Sequence, residues 1–589
     1  VTTQTSYTQK AWTLDDLFRD RKQADAAFER IDDLVSEFES HLGELSPDIS
    51  ASAFLSLVRQ LETITAAMHR LYSYAGLWFS ADTQGQAAQT FVARVDQFSA
   101  QTDNRILPFE LWWKEMDEAN AVRLLDVVGD YRYWLETLRL FKPHTLTEAE
   151  EKIINIKDTT GVSALQTLYD LITNRYTFTI EIDGEPKSLT RDALMTYAYH
   201  PDGDLRAKAY QELYRVYGND GAVLGQMYQT LVRDWRNEQV GLRRFATPIA
   251  ARNLGNDIPD TVVDTLLDVC RSNAALFQRF FRLKAQLLGM DRLRRYDIYA
   301  PVVHADKTYP FAQATQMVLD SFGRFDGTLV DLAQRVYQVD HLDSEVRHGK
   351  RGGAFCWSVV PQLTPWVLVN YQGKARDVST LAHELGHAVH SLLAERHSVL
   401  TFHASLPLAE TASTFGEMLL LDAWLEWESD ADVKRDLLFS QMDDNYATVL
   451  RQAFFALFER EAHELVQAGA TVDEVSAAYL DNLRTQFGDA VVLSDEFAWE
   501  WVSIPHIYHT PFYVYAYSFG QLLVLALYRQ YKAEGESFKT RYLDILRAGG
   551  SASPSDILSR AGLDITRMEF WQGGFDVLSD MLAHLEEMA

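Results

Sequence analysis

A mainly α-helical fold with a small β component is predicted by three features of this 589-residue sequence. Apolar residues recur at intervals of three and four over most of its length, two short segments alternate as strands do, and 47% hydrophobic with 12% aromatic content supplies a large core. Between Ser56 and Leu71, the positions Leu57, Val58, Leu61, Ile64, Met68 and Leu71 form one apolar stripe on a helix. The same pattern fills the first 150 residues and returns from Pro259 to Leu288. The segment YTFTIEI at Tyr176–Ile182 alternates, is rich in β-branched and aromatic residues, and runs into Asp183-Gly184, a tight hairpin turn signal. WVLVNY at Trp366–Tyr371 is the second expected strand. Soft boundaries near 110 and 190 divide the chain into an N-terminal helical region (1–110), a helical linker with a β-hairpin (111–190) and a principal domain (191–589). No internal repeat or low-complexity linker is evident.

Fifty-five Lys and Arg against 83 Asp and Glu give a formal charge of -28, which argues against nucleic acid or an anionic membrane as the principal partner. Two cysteines, Cys270 and Cys356, are too few for a disulfide framework and fit a reducing compartment. The N-terminal VTTQTSYTQKAW lacks the basic-then-apolar pattern of a secretory signal. The strongest apolar run, Leu522–Tyr528, is far shorter than the roughly 18 residues that span a bilayer. A soluble cytoplasmic protein is expected; nothing in the sequence indicates its oligomeric state.

The densest chemical signal is TLAHELGHAVH at Thr380–His390, which contains His383-Glu384-x-x-His387. On a helix, four residues at about 100° each leave the two histidines only about 40° apart and one turn along, so both rings can face one ion. Glu384 points to the side, where it can take a proton from a water at the metal. Leu381, Leu385, Ala388 and Leu392 supply an apolar face to hold the helix still. Catalytic zinc needs a third protein ligand. His390 and Leu393 occupy the positions where HExxHxxGxxH would have glycine and the third histidine, and Glu395 is too far along the same helix. Glu410 is better placed: 397–406 can reverse the chain, and Pro407 can begin a second helix with Glu410 in its first turn. Glu417, seven positions later, is the alternative ligand or a supporting carboxylate. His390 suits either the cleft or the packing, and Asp377 is best read as a helix cap.

Peptide-bond hydrolysis also requires donors to the developing oxyanion. IPHIYHTPFYVYAYSFG at Ile504–Gly520 concentrates imidazoles and phenols before a strongly apolar helix. A helix beginning near Phe512 would place Tyr513 and Tyr517 on one face and leave His506 in the preceding loop. Tyr508, Tyr515 and Phe519 read as core aromatics. Trp366–Tyr371, beside the motif helix, would offer an exposed sheet edge to an extended peptide. HGKRGG before it has no strand-GxGxxG-helix context and is weak evidence for phosphate binding.

These stretches together, GKRGGAFC (Gly349–Cys356), DVSTLAHELGHAVH (Asp377–His390), PLAETASTFGE (Pro407–Glu417) and IPHIYHTPFYVYAY (Ile504–Tyr517), resemble the oligoendopeptidase F branch of the thimet oligopeptidase family of zinc peptidases. The resemblance runs from about Leu189 to the C-terminus and more loosely through the N-terminal helices. It implies a mainly α-helical, zincin-like metallopeptidase with a deep substrate channel, one zinc ion, and cleavage at internal bonds of short unstructured peptides. His383, His387 and Glu410 would hold the metal and Glu384 would act as general base. His506 and Tyr513, with Tyr517 as the alternative tyrosine, would stabilise the transition state. The GGYG-like loop of the thimet branch is missing, so substrate handling by that loop does not carry over. A carboxypeptidase with the same zinc helix would need a cationic cap for the peptide C-terminus, and a helical binding protein would keep the constellation without turnover.

Overall fold

The computed structural model describes residues 7–302 and 307–588; Val1 to Ser6 of the N-terminal segment lie outside the described residues. Among the described residues helices dominate, and the strands form two two-stranded pairings and one three-stranded sheet. The described residues group into two compact units. One comprises those within Val1–Lys142, Asp306–Glu428 and Gln530–Leu563, and the other those within Pro143–Ala305, Ser429–Arg529 and Asp564–Ala589.

In the first unit, helix Ala51–Ala81 begins at Ser50, whose hydroxyl accepts from the Ala53 N–H, and buries the whole stripe from Leu57 to Leu71. This stripe shares one core with Phe54, Phe109 and Trp113 and, from far along the chain, Val359, Trp366 and Val399. Three short strands, β4 (Leu342–Asp343), β5 (Phe355–Trp357) and β6 (Trp366–Leu368), pair in the order β4-β6-β5, with β4 parallel and β5 antiparallel to β6. The expected strand at Trp366–Tyr371 therefore exists in shortened form but is central. The free edge is not its own, because β4 supplies a parallel partner that no local sequence signal announces. β4 and β5 are the edge strands. Trp357 of β5 packs against helix Ala51–Ala81 at Gly76, where a Cβ would come within 2.7 Å of the ring, and its indole N–H donates to Ser73 Oγ at 2.9 Å.

Helix Ala375–Leu393 carries the histidine motif, with Leu381, Leu385 and Ala388 fully buried and Leu392 3% exposed. Asp377 Oδ2 accepts from the backbone N–H of Gln372 and Lys374 at 2.8 and 3.0 Å, tying down the chain as it enters the helix. The helix lies directly on the segment that links a one-turn helix, Leu406–Ala409, to helix Ser413–Trp427. Gly386 makes that approach: a Cβ there would lie 2.6 Å from both the Ala412 carbonyl oxygen and the Ser413 Cα. Alanine favours a helix by about 1 kcal/mol over glycine, yet backbone atoms at this distance cannot yield as a flexible side chain can. Gly386→Ala is therefore expected to destabilise by about 1–3 kcal/mol. Thermal unfolding of the metal-free variant measures this, and an unchanged or raised midpoint would show that the two segments can slide apart freely.

In the second unit, the hairpin forms as the alternation predicts. β1 (Phe178–Ile182) pairs antiparallel with β2 (Glu185–Leu189) around Asp183 and Gly184, both at positive φ. The Pro259–Leu288 pattern resolves into helices Asp260–Ser272 and Ala274–Leu287, broken at Asn273. β3 (Leu293–Arg294) pairs in parallel with β7 (Val491–Val492). No helix among the described residues is long and apolar enough to cross a membrane.

Candidate metal centre and active site

One helical turn apart, His383 and His387 turn their Nε2 atoms toward each other at 3.2 Å, and Glu410 Oε2 lies 3.4 Å from each. Two ring nitrogens facing at this distance cannot both present lone pairs without a proton or a cation between them. Three donors around a tetrahedral ion with bonds near 2.05 Å are separated by about 3.3 Å, the edge of that tetrahedron. The observed triangle of 3.2, 3.4 and 3.4 Å therefore fits a zinc-sized ion, and two imidazoles with one carboxylate form a donor set suited to zinc. A second group of three acidic side chains, Asp158, Asp234 and Glu238, also converges. It has no nitrogen donor, and Glu238 is already paired with Arg243 at 2.6 Å.

Glu410 does not sit in the first turn of a long helix, as Pro407 led us to expect. It ends the one-turn helix Leu406–Ala409, with φ -85° and ψ 1°, before helix Ser413–Trp427 begins. Two contacts fix it there. Ser413 Oγ donates to Glu410 Oε2 at 2.7 Å, and the buried His390 ring hydrogen-bonds the backbone of Ala409, the preceding residue. His390 thus stands behind Glu410 and outside the triangle, and burial pushes its pKa down to about 4. Burial opposes ionisation of Glu410, but hydrogen bonding and charge from His387, then His383, hold its carboxyl at about 2. Glu417 accepts from His383 Nδ1 at 2.7 Å, which fixes the tautomer that leaves Nε2 free for a metal. For His383, burial favours the neutral ring, but Glu417, Glu410 and Glu384 outweigh it and push it up to about 9. Three carboxylates around two imidazoles make a site that attracts a cation.

Glu384 is only 6% exposed, and its Oε2 has no hydrogen-bond partner. Burial raises its pKa above the ordinary carboxylate value, moderated by the two imidazoles. A buried carboxylate with an oxygen that no protein group satisfies thus lies beside the three converging donor atoms. A cavity of about 530 Å³ opens alongside, walled by His383, Glu384, His387 and Ser391 of the motif helix, by β5 from Phe355 to Trp357, and by Phe402 and His403. Cys356 faces it as a thiol, its pKa raised first by burial and then by the Glu384 charge. His403 and β5 were not singled out from sequence. The available signals were that β5 lies in the GKRGGAFC stretch and that His403 lies within the expected reversal before Glu410. Lys350 of the same stretch donates to the backbone carbonyls of Asp343, Glu345 and Val369 and pairs with the buried Asp343, so its charge is spent inside the fold.

In the second unit, His506, Tyr513 and Tyr517 cluster. Ring centroids are 6.5 Å apart for His506–Tyr513, 6.1 Å for His506–Tyr517 and 5.4 Å for Tyr513–Tyr517. His506 lies not in a loop but in a five-residue helix, Pro505–His509, started by Pro505; Tyr513 precedes helix Tyr515–Glu534 and Tyr517 lies in its first turn. His506 and Tyr513 are half-buried and Tyr517 is 37% exposed, so all three remain accessible. Tyr508 and Tyr515 are buried, donating to Leu224 O and accepting from Asn256 Nδ2, and Phe519 is fully buried.

Comparison with known proteins bears on this arrangement. Residues 196–577 match the model of peptidase family M3, and residues 112–178 match that of oligopeptidase F. Oligopeptidase PepF of Bacillus subtilis is 26% identical over 590 residues, covering 98% of this chain and 87% of its own. Group B oligopeptidase PepB of Streptococcus agalactiae is 25% identical over 567 residues, covering 94% and 92%. A crystal structure from Chlamydophila abortus superposes with a TM-score of 0.90 at 24% identity, covering 98% of each chain. That of oligoendopeptidase-F from Enterococcus faecium gives 0.71 at 24%, covering 98% and 99%. The mainly α-helical fold with few strands is the zincin-like fold of such peptidases. Since the matched segment carries β5, the histidine helix, Glu410 and the His506–Tyr517 cluster alike, the chain belongs to peptidase family M3.

Proposed function

We propose that this chain is a zinc-dependent oligoendopeptidase that hydrolyses internal bonds of short, unstructured peptides. The observation that carries the reading is the triangle of His383 Nε2, His387 Nε2 and Glu410 Oε2, sized for a tetrahedral ion, with the unpartnered Glu384 carboxylate beside it. A zinc ion held there would acidify a water and polarise the scissile carbonyl. Glu384 then takes the proton of the attacking water and delivers it to the leaving amine. His506 and Tyr513, or Tyr517 in its place, donate hydrogen bonds to the oxyanion. β5, the edge strand along the cavity, takes over the peptide-pairing role first assigned to Trp366–Tyr371. An extended substrate added to it would be held through its main chain with weak sequence preference.

Flexible peptides of roughly 7–15 residues are the expected substrates. Mass analysis of the products of one such peptide, offered with a free and an amidated C-terminus and again within a folded carrier, tests this. Internal cleavage indifferent to amidation, with the carrier spared, is expected. Release of C-terminal residues blocked by amidation would make the enzyme a carboxypeptidase, and absence of cleavage by zinc-loaded protein across varied peptides would make it a binding protein.

A further inference from the structure

The turn Thr510–Tyr513 has an unusual backbone. The Tyr513 N–H bonds to the Thr510 carbonyl at 3.1 Å, Pro511 occupies the second position, and Phe512 in the third has φ +58°. Proline followed by positive φ is the type II pattern, whose third position favours glycine or asparagine because a Cβ there is strained. Type I and type II turns differ by a flip of the central peptide, here the one joining Pro511 to Phe512. That peptide is gripped from both sides. Arg252 Nε donates to the Pro511 carbonyl at 3.0 Å, and the Phe512 N–H donates to Glu459 Oε1, also at 3.0 Å. Glu459 is fully buried on helix Arg451–Gln467, and the Phe512 ring, 1% exposed, packs 4.6 Å from the His463 ring. The turn also fixes what flanks it: Thr510 donates to the His506 carbonyl through its N–H at 2.8 Å and its hydroxyl at 3.2 Å, and the chain leaves the turn at Tyr513.

We propose that Glu459 and Arg252 are positioning residues for the reaction, a clamp that holds the Pro511–Phe512 peptide in the strained orientation and thereby aims Tyr513 relative to His506. The inference rests on the proposed role of Tyr513 as a donor to the oxyanion. In this role both residues act through the Pro511–Phe512 peptide and not on substrate. Without the clamp, a non-glycine residue at position 512 relaxes to negative φ, the peptide flips, and the direction of the Tyr513 ring changes. Displacement of a catalytic donor by about 1 Å can cost on the order of 100-fold in rate. Burial pushes the Glu459 carboxyl up to about 8, so near neutrality it is largely the uncharged acid, which glutamine copies in shape and in its acceptor oxygen.

The test is steady-state kinetics of the zinc-loaded full chain on one flexible peptide, using Glu459→Met, Glu459→Gln, Tyr513→Phe and the double variant Glu459→Met/Tyr513→Phe. Methionine fills the space with a thioether that is at most a weak acceptor. Glu459→Met is expected to lower kcat about 10- to 100-fold with KM within about threefold, Glu459→Gln to stay within about threefold of the parent, and the double variant to be no slower than Tyr513→Phe alone. Should Glu459→Met fail to fold, Arg252→Met probes the same peptide from its carbonyl side with the same expectation. Full kcat in Glu459→Met, or equal losses in Glu459→Met and Glu459→Gln, would overturn the clamp while leaving Tyr513 in place if Tyr513→Phe is slow. Full kcat in Tyr513→Phe would instead remove the catalytic role of Tyr513 and the clamp's purpose with it.

Discussion

Glu384→Gln is expected to keep its zinc and lose about 10²- to 10⁴-fold in kcat, the range ascribed to a positioned proton acceptor. The amide has the shape of the carboxylate, so the helix, its apolar face and the three ligand atoms should remain as they are. What is lost is basicity. Glu384 is almost fully buried, its Oε2 is unpartnered, and its pKa lies above the ordinary carboxylate value because burial disfavours the charge. A carboxylate raised in this way is a better acceptor near neutral pH than an exposed one. Peptide turnover measured beside metal content decides the matter, since near-normal kcat at full zinc occupancy would take the base role away from Glu384.

Glu410→Ala should weaken zinc retention more than Glu417→Ala, for which a loss of about 10- to 100-fold is expected. The two carboxylates face the same imidazole from different sides. Glu410 Oε2 lies 3.4 Å from both Nε2 atoms and so completes the triangle, whereas Glu417 reaches the Nδ1 of His383 at 2.7 Å. Removing the first would delete one donor of the triangle; removing the second would free a tautomer and a ring orientation. Competition against a chromophoric chelator measures both, and the reverse ranking would exchange their roles.

Most of this centre was legible because its signals are local. The two histidines need only helical periodicity, and the apolar face opposite them needs nothing more. Glu410 could be chosen over Glu395 by reach along a helix. Its actual setting at the end of a single turn was not legible, because it depends on the contact of Gly386 with Ala412 and Ser413 across a long stretch of chain. The same reason explains Trp366–Tyr371. Its β character was plain, but its central place depends on parallel pairing with Leu342–Asp343, two residues too short to announce a strand. In Ile504–Tyr517 the residue types pointed to function, but the positive φ of Phe512 is imposed by Arg252 and Glu459, neither of which lies within 50 residues of it in sequence.

Whether the His383–His387–Glu410 triangle holds a catalytic zinc is decided by titrating zinc into chelator-stripped protein while following bound metal and peptide cleavage together. Both are expected to rise in parallel and saturate at about one zinc per chain, with Glu410→Ala shifting both curves to higher zinc. Full cleavage by the metal-free protein, or saturation of activity that leaves the triangle variants unaffected, would contradict a catalytic zinc there.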